Sequence, residues 1–266
     1  MTASELFRDG RLDEAIAAQI EAVKAAPTDL GLRTFLFELY AFAGDLERAE
    51  RQLGVIEGQS TELSLAAGAY RQCLESELAR RRIYQGEGEP GFWNEPSAGI
   101  RKHAEALRLL AADRLDEARS ALDAASADRV ALPGTANGVA FADFRDADDL
   151  LAPIFEFFDG PTYCWVPMAS VASIKLTEPK KPRDLLWNNC ELRLTDDTVR
   201  NGVMPVLYPN SHESDDPVTR LGRQTDWVGY EGGPTFGQGM RTFLIDGEER
   251  GMLESLELTF AAAATS

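Results

Sequence analysis

The sequence GRLDEA occupies residues 10–15, and related sequences occur twice more in the first half of the chain. GDLERA at residues 44–49 matches it at an offset of 34 residues, and RLDEA at residues 114–118 repeats five of its residues unchanged. A period of 34 residues is that of the tetratricopeptide repeat (TPR), a pair of antiparallel helices. A small residue such as Ala15 near the start of the second helix lets it approach the first. The sequence therefore predicts divergent TPR-like helix pairs.

Apolar spacing predicts helices independently of the repeat. Residues 32–43 carry apolar side chains at positions i, i+3, i+4, i+7, i+8 and i+11, the period of an α-helix. Phe37 and Phe42 lie off this stripe, so the helix is apolar on nearly every side and is expected to be buried between neighbours. Residues 61–85 are predicted to form another helix, which ends at the breaker sequence GEGEPG.

The composition changes after Val130. PGTANG at residues 133–138 predicts a turn or linker, and the apolar residues 150–158 predict a short helix that Gly160 and Pro161 end. Beyond that point, alternating or β-rich runs predict strands. These runs lie at residues 163–166, 170–176, 190–194 and 253–260.

The predicted fold is a chain of mixed α and β class. A TPR-like α-helical superhelix is expected over residues 1–132, followed by an acidic linker and short helix over 133–160. A smaller α+β domain is expected over 161–266.

The charge balance excludes several classes of function. The chain has 44 acidic and 27 basic residues, a formal charge of −17 and a pI near 4.6. Nucleic acids and anionic membranes both need a cationic face, so neither is an expected partner. There is no apolar run of about 18 residues that would span a bilayer, and the first residues do not resemble a signal peptide. Three scattered cysteines suggest reduced thiols, and we expect a cytoplasmic bacterial protein.

The residue inventory offers little for metal or nucleophilic chemistry. The two histidines, His103 and His212, are too few for most histidine-based sites. The sequence contains no P-loop, nucleophile elbow or dinucleotide fingerprint. A group of aspartates lacks the glycine turn of a calcium loop and is predicted to be a solvated face or helix N-terminal charge. That group is Asp143, Asp146, Asp148 and Asp149. We expect no catalytic residues, no metal and no cofactor.

Aromatic and charged residues recur together in the second half. Examples are WVP at 165–167, RDLLW at 183–187 and LGRQTDW at 221–227. Trp, Tyr and Arg dominate interface energetics, so one interpretation is a recognition patch. The other is a core with buried ion pairs, and the sequence favours neither. The residues concerned are Trp165, Arg183, Asp184, Trp187, Tyr208, Arg223, Asp226 and Trp227.

These motifs, together with Asp-Ala-Asp at residues 146–148 and the helical first half, resemble the ImpE/SciE family of type VI secretion accessory proteins. The likeness covers nearly the whole chain. It implies a cytoplasmic, non-enzymatic protein that binds the N-terminal helix of the small contractile-sheath subunit (TssB/VipA-like), with an indirect link to a ClpV-type ATPase. The chain departs from the family pattern at Asn188 and Asn189, which follow Trp187, and at Leu207, where an arginine is expected.

The primary hypothesis is a binding module in which the two domains cradle an amphipathic helix that presents apolar and basic residues. Stacked helix pairs offer a concave groove for such a partner. Phe42, Tyr70 and Tyr84 are the candidate groove residues. Two alternatives stay open. One is an adaptor for a ClpV-type AAA+ unfoldase. The other is a hydrolase, which a pocket with perturbed carboxylates beside Arg183 or Arg223 would indicate.

Overall fold

A computed structural model describes residues 1–59, 61–127, 129–229 and 233–261. Within this part, seven α-helices come first and β-strands follow, so the predicted order of helices and then a sheet-containing domain is confirmed. No helix among these residues is both long and apolar enough to cross a membrane. The helices are α1 (Ala3–Arg8), α2 (Leu12–Ala25), α3 (Leu30–Phe42), α4 (Leu46–Glu57), α5 (Thr61–Tyr84), α6 (Ala98–Ala111) and α7 (Leu115–Ser126).

Each copy of the repeated sequence begins the second helix of a pair. The pairs are α1 with α2, α3 with α4, and α6 with α7. Ala15, Ala49 and Ala118 are completely buried, as expected where a small residue lets two helices approach. The structure thus contains the predicted helix pairs, and their stacking into a TPR-type superhelix stays a prediction.

The turn before each of these helices contains a residue with left-handed backbone. The φ angles are 82° at Gly10, 76° at Gly44 and 57° at Asp113. Glycine adopts this conformation without strain, and aspartate tolerates it better than most residues. Gly44 is also sterically required, because a Cβ there would lie 2.0 Å from Cδ2 of His212.

The second half of the described chain consists mainly of strands. They are β1 (Gly134–Ala136), β2 (Val139–Phe141), β3 (Phe144–Asp146), β4 (Ile154–Asp159), β5 (Thr162–Pro167), β6 (Val171–Leu176), β7 (Trp187–Leu194), β8 (Val199–Pro205), β9 (Thr225–Gly229), β10 (Thr235–Gly239), β11 (Thr242–Ile245), β12 (Glu248–Gly251) and β13 (Glu257–Phe260). Eight of these strands form an antiparallel sheet with the order β2-β1-β13-β6-β7-β8-β4-β5. The remaining elements include a β9–β10 hairpin, a three-stranded sheet β12-β11-β3 and the single-turn helix α8 (Pro217–Arg220).

The short helix predicted over residues 150–158 is wrong, because most of this segment is strand β4. β4 lies between β8 and β5, and every residue from Ile154 to Phe158 is buried. A strand covered on both faces is a continuous apolar run, and periodicity alone cannot distinguish it from a buried helix. The segment 133–138, predicted as a turn or linker, contains the tight β1–β2 turn at Asn137 and Gly138, both with positive φ.

The loop after α5 crosses the outer edge of β5. The N–H of Gly91 donates to the carbonyl of Tyr163 at 2.9 Å, and the N–H of Trp165 donates to the carbonyl of Gly91 at 3.0 Å. A Cβ at residue 91 would lie 3.2 Å from Sγ of Cys164, so the close approach favours glycine.

Candidate binding cleft

Helix α5 joins the helical half to the sheet through buried charges. Arg80 is 2% exposed, and its guanidinium donates to both carboxylate oxygens of Glu156 on β4 at 2.8 and 2.6 Å. Arg241 donates to the same carboxylate and, at 3.1 Å, to Asp146 on β3. Such buried pairs are maintained only when every charge has a close partner, because each was removed from water. Burial raises the pKa of Asp146 and lowers that of Arg241.

The side chains of Arg80, Arg241, Glu156 and Asp146 form a buried ionic cluster. Two aromatic residues from the sequence motifs, Tyr208 and Trp165, join it through hydrogen bonds. Tyr208 donates its hydroxyl hydrogen to Oδ1 of Asp146 at 2.6 Å. Trp165 donates its indole N–H to the hydroxyl of Tyr163 at 2.6 Å, and Tyr163 in turn donates to Glu156. Trp165 and Tyr208 are each 1% exposed, so both belong to the core.

The aspartate group is not a solvated face, contrary to expectation. Asp146 is fully buried and Asp148 is 4% exposed, whereas Asp143 and Asp149 are half-buried. The reason is Arg241, which lies 95 residues from Asp146 in sequence and supplies the charge that this carboxylate needs. Within the described ranges, no group of His, Cys, Asp and Glu side chains is arranged to hold a metal ion.

The motif RDLLW at residues 183–187 connects the loop before β7 to the helices. Arg183 donates to Glu38 of α3 at 2.6 Å, and its guanidinium lies 4.5 Å from the ring centroid of Tyr70 on α5. Trp187 is 5% exposed and packs near Phe37. Asp184 accepts the N–H groups of Lys180 and Lys181, both at 2.9 Å. Burial raises the pKa of Glu38, which is paired inside the protein.

The motif LGRQTDW at residues 221–227 contacts helix α1. Arg223 donates to the carbonyls of Phe7 and Arg8, both at 2.6 Å, and so satisfies the free carbonyls at the end of α1. Trp227 is half-buried with its ring 6.0 Å from that of Tyr208, and Asp226 is exposed. Most of the motif residues therefore bind other parts of this chain.

An open cleft separates the first half of α5 from the sheet. Its volume is about 720 Å³. The α5 wall is formed by Ala66, Ala69, Tyr70, Gln72 and Cys73. The sheet wall includes Lys175, Leu176, Trp187, Asn189, Cys190, Glu191, Asn201 and Val203. Burial raises the pKa of both cleft thiols, Cys73 and Cys190, to about 12, so they are neutral and poor nucleophiles.

The comparisons with known proteins agree with this architecture and identify the family. Residues 138–259 match the family model described as ImpE protein. A protein of Pseudomonas aeruginosa named type VI secretion system accessory component TagJ is 33% identical over 260 residues, covering 98% of this chain and 91% of that protein. The chain belongs to the ImpE family.

A solved structure has the same fold as this ImpE-family chain. It is the crystal structure of protein VPA1032 from Vibrio parahaemolyticus, which superposes with a TM-score of 0.90 over 98% of both chains. At 23% sequence identity this likeness establishes the fold alone.

The three candidate groove residues, Phe42, Tyr70 and Tyr84, do not share one surface. Phe42 is 1% exposed and packs 5.2 Å from the ring of Phe7, so it is a core residue and not a groove residue. Because α3 is apolar on nearly every side, its sequence does not show which aromatic residues face the core. Tyr70 lines the α5 cleft. Tyr84 lines a separate pocket and donates to Glu156 at 3.3 Å.

The departures from the family pattern fall in different surroundings. Asn189 lines the cleft. Asn188 is 1% exposed and exchanges hydrogen bonds with the backbone of Thr177 at 2.9 and 2.8 Å. Leu207 is 8% exposed and contacts Gly222, where a Cβ would lie 2.2 Å from the leucine.

Sequence reasoning missed the small residues of the cleft wall. Ala66 and Ala69 lie in the run AAGA at residues 66–69, which carries little bulk and no charge within a predicted helix. The run of small residues is the one sequence feature that could have indicated an open surface on this helix.

Proposed function

We propose that this ImpE-family chain is a non-enzymatic, cytoplasmic accessory protein of a bacterial type VI secretion system. We further propose that it binds the N-terminal helix of the small sheath subunit (TssB/VipA-like) in the α5 cleft. The name of the relative from P. aeruginosa supports the accessory role. The observation that carries the binding proposal is the open cleft of about 720 Å³, whose walls come from both halves of the chain.

The walls of the cleft suit a helix. Ala66 and Ala69 allow a second helix to approach α5 to the usual interaxial distance of about 8–10 Å. Tyr70 offers an aromatic anchor, and Asn189 and Glu191 offer polar contacts on the opposite wall. The net charge of −17 attracts a partner helix that carries basic residues and speeds its association.

The arrangement at Arg183 does not favour the hydrolase alternative. A carboxyl group with a raised pKa does lie beside Arg183, but it is Glu38, and both side chains are buried in one ion pair. Neither residue lines the α5 cleft.

The binding proposal is tested by calorimetry with a peptide of the sheath subunit's N-terminal helix. We expect a dissociation constant in the micromolar range. Ala69→Arg should weaken binding at least tenfold, because it places bulk and positive charge in the cleft wall. Ala17→Arg is the matched control, since Ala17 is exposed on α2 away from the cleft.

Absence of binding at high micromolar peptide would contradict the proposal, as would equal loss of affinity in the two variants. If the chain failed to bind the peptide but captured the ClpV-type ATPase directly, the adaptor alternative would replace it.

A further inference from the structure

A second pocket lies between the α6–α7 pair and the β9–β10 hairpin. Its volume is about 260 Å³, and it shares no lining residue with the α5 cleft. Most of its wall is apolar, formed by Leu107, Leu110, Leu115, Leu150, Val228 and Phe236. Pockets for drug-sized ligands measure about 300–1,000 Å³, so this one is smaller than such a site and large enough to admit a side chain.

One acidic residue, Asp148, lines this apolar pocket. It is 4% exposed and accepts backbone N–H groups from Leu150 at 2.8 Å, Leu151 at 3.1 Å and Gly237 at 2.9 Å. Leu150 and Gly237 line the same pocket. The carboxyl group is therefore held in a fixed position at the pocket wall.

Asp148 differs from the neighbouring buried carboxylates, Glu156 and Asp146, because no arginine or lysine is paired with it in the described part of the chain. Glu156 is paired with Arg80 and Arg241, and Asp146 is paired with Arg241. Asp148 forms no ion pair within the described part of the chain, and the residues outside that part include no lysine, arginine or histidine. A buried carboxylate without a cation is unfavourable. Accordingly, burial and the charge of Asp146 raise its pKa to about 7, against the weaker opposing effects of hydrogen bonds from Gly237 and Leu151 and of Arg241.

We propose that this pocket receives the side chain of a lysine or arginine from a partner polypeptide. The methylene groups of that side chain pack against the leucines, Val228 and Phe236, and the cation pairs with Asp148. Long basic side chains commonly bury their aliphatic stems in this way. The site is independent of the α5 cleft, so either proposal can fail without the other.

The experiment uses the full chain at pH 8, where the Asp148 carboxyl is largely ionised. The probes are the peptide acetyl-Leu-Lys-Leu-amide and the same peptide with an acetylated lysine side chain. The amide resonance of Gly237 is followed by NMR, because its N–H donates to Asp148. We expect a saturable shift with the lysine peptide and at least fivefold weaker binding of the acetylated one.

Three variants locate the effect. Leu110→Trp should abolish the shift by filling the pocket, whereas Leu78→Trp, at an exposed position on α5 outside it, should not. Asp148→Asn should bind the two peptides equally. Equal binding of both peptides to the unmodified chain, or no saturable shift at Gly237, would overturn the proposal without reliance on any variant.

Discussion

The two halves of helix α5 face the same sheet and behave in opposite ways. The second half is bound to it, through Ser76 to the carbonyl of Gly160 at 3.0 Å and through Arg80 to Glu156. The first half presents Ala66, Ala69 and Gln72 to an open cleft. One helix thus both holds the two halves together and forms the wall of an open cleft.

The position of the buried charges determines where α5 is closed against the sheet. Buried charges cannot be separated without exposing an unpaired ion to a low-dielectric interior, so Arg80 and Glu156 hold helix and sheet together. Alanine side chains carry no charge and need no partner. The α5 cleft therefore lies where the helix has small side chains, at Ala66 and Ala69.

The largest expected effect comes from breaking the closed half. Glu156→Gln retains the shape of the side chain but removes the negative charge between Arg80 and Arg241. We expect the free energy of unfolding to fall by about 3–5 kcal/mol, measured by urea denaturation, because two buried guanidinium groups lose their shared partner. Glu75→Gln, at an exposed position on α5, is the control and should change little. A loss no greater than that of the control would show that the cluster does not hold the halves together.

A smaller effect is expected from pH. The pKa of Asp148 is about 7 in the folded chain against an ordinary value of 3.8, so between these values the folded state binds more protons than the unfolded state. The contribution of Asp148 to stability therefore falls as pH rises from about 4 to about 7. His103 and His212, whose pKa values are lowered by burial, act in the opposite direction as pH rises toward their ordinary pKa of 6.5.

The comparison with Asp148→Asn isolates this contribution, because the histidines are common to both proteins. Denaturation at pH 5, 6, 7 and 8 should show the unmodified chain losing stability relative to the variant as pH rises. A constant difference across this range would show that Asp148 keeps its ordinary pKa.

The smallest effect is expected in the open half. Ala69 is exposed, so Ala69→Arg should change the free energy of unfolding by less than about 0.5 kcal/mol. Thermal and urea denaturation measure this directly. A large loss of stability would mean that the cleft is closed in solution, and the variant could not then report on binding.

Local features of this fold were predictable from sequence, and the long-range pairings were not. The repeat located the buried alanines because helix packing depends on residues a few positions apart. Arg80 and Arg81 both pair with Glu77, one helical turn away, at 3.3 and 3.4 Å. The partnership of Arg80 with Glu156 spans 76 residues and has no signature in a single sequence.

The candidate site was harder to predict than the fold. The aromatic and charged motifs left open a recognition patch or a core with buried ion pairs. Trp165, Arg183 and Tyr208 are buried and make contacts within the chain. A residue type that stabilises interfaces between proteins also stabilises the interface between two halves of one protein. Tyr70 is the candidate groove residue that lines the α5 cleft. Its α5 neighbours in the cleft wall are mostly small residues, which a single sequence does not single out as a binding surface.

The crossing of Gly91 over β5 has a consequence for the behaviour of many copies together. A terminal strand with free N–H and carbonyl groups is a template on which a neighbouring molecule can add its own strand and begin to aggregate. Here the backbone of Gly91 occupies hydrogen-bonding groups of Tyr163 and Trp165 on that side. A residue with no side chain thus protects this edge of the sheet against polymerisation at high local concentration.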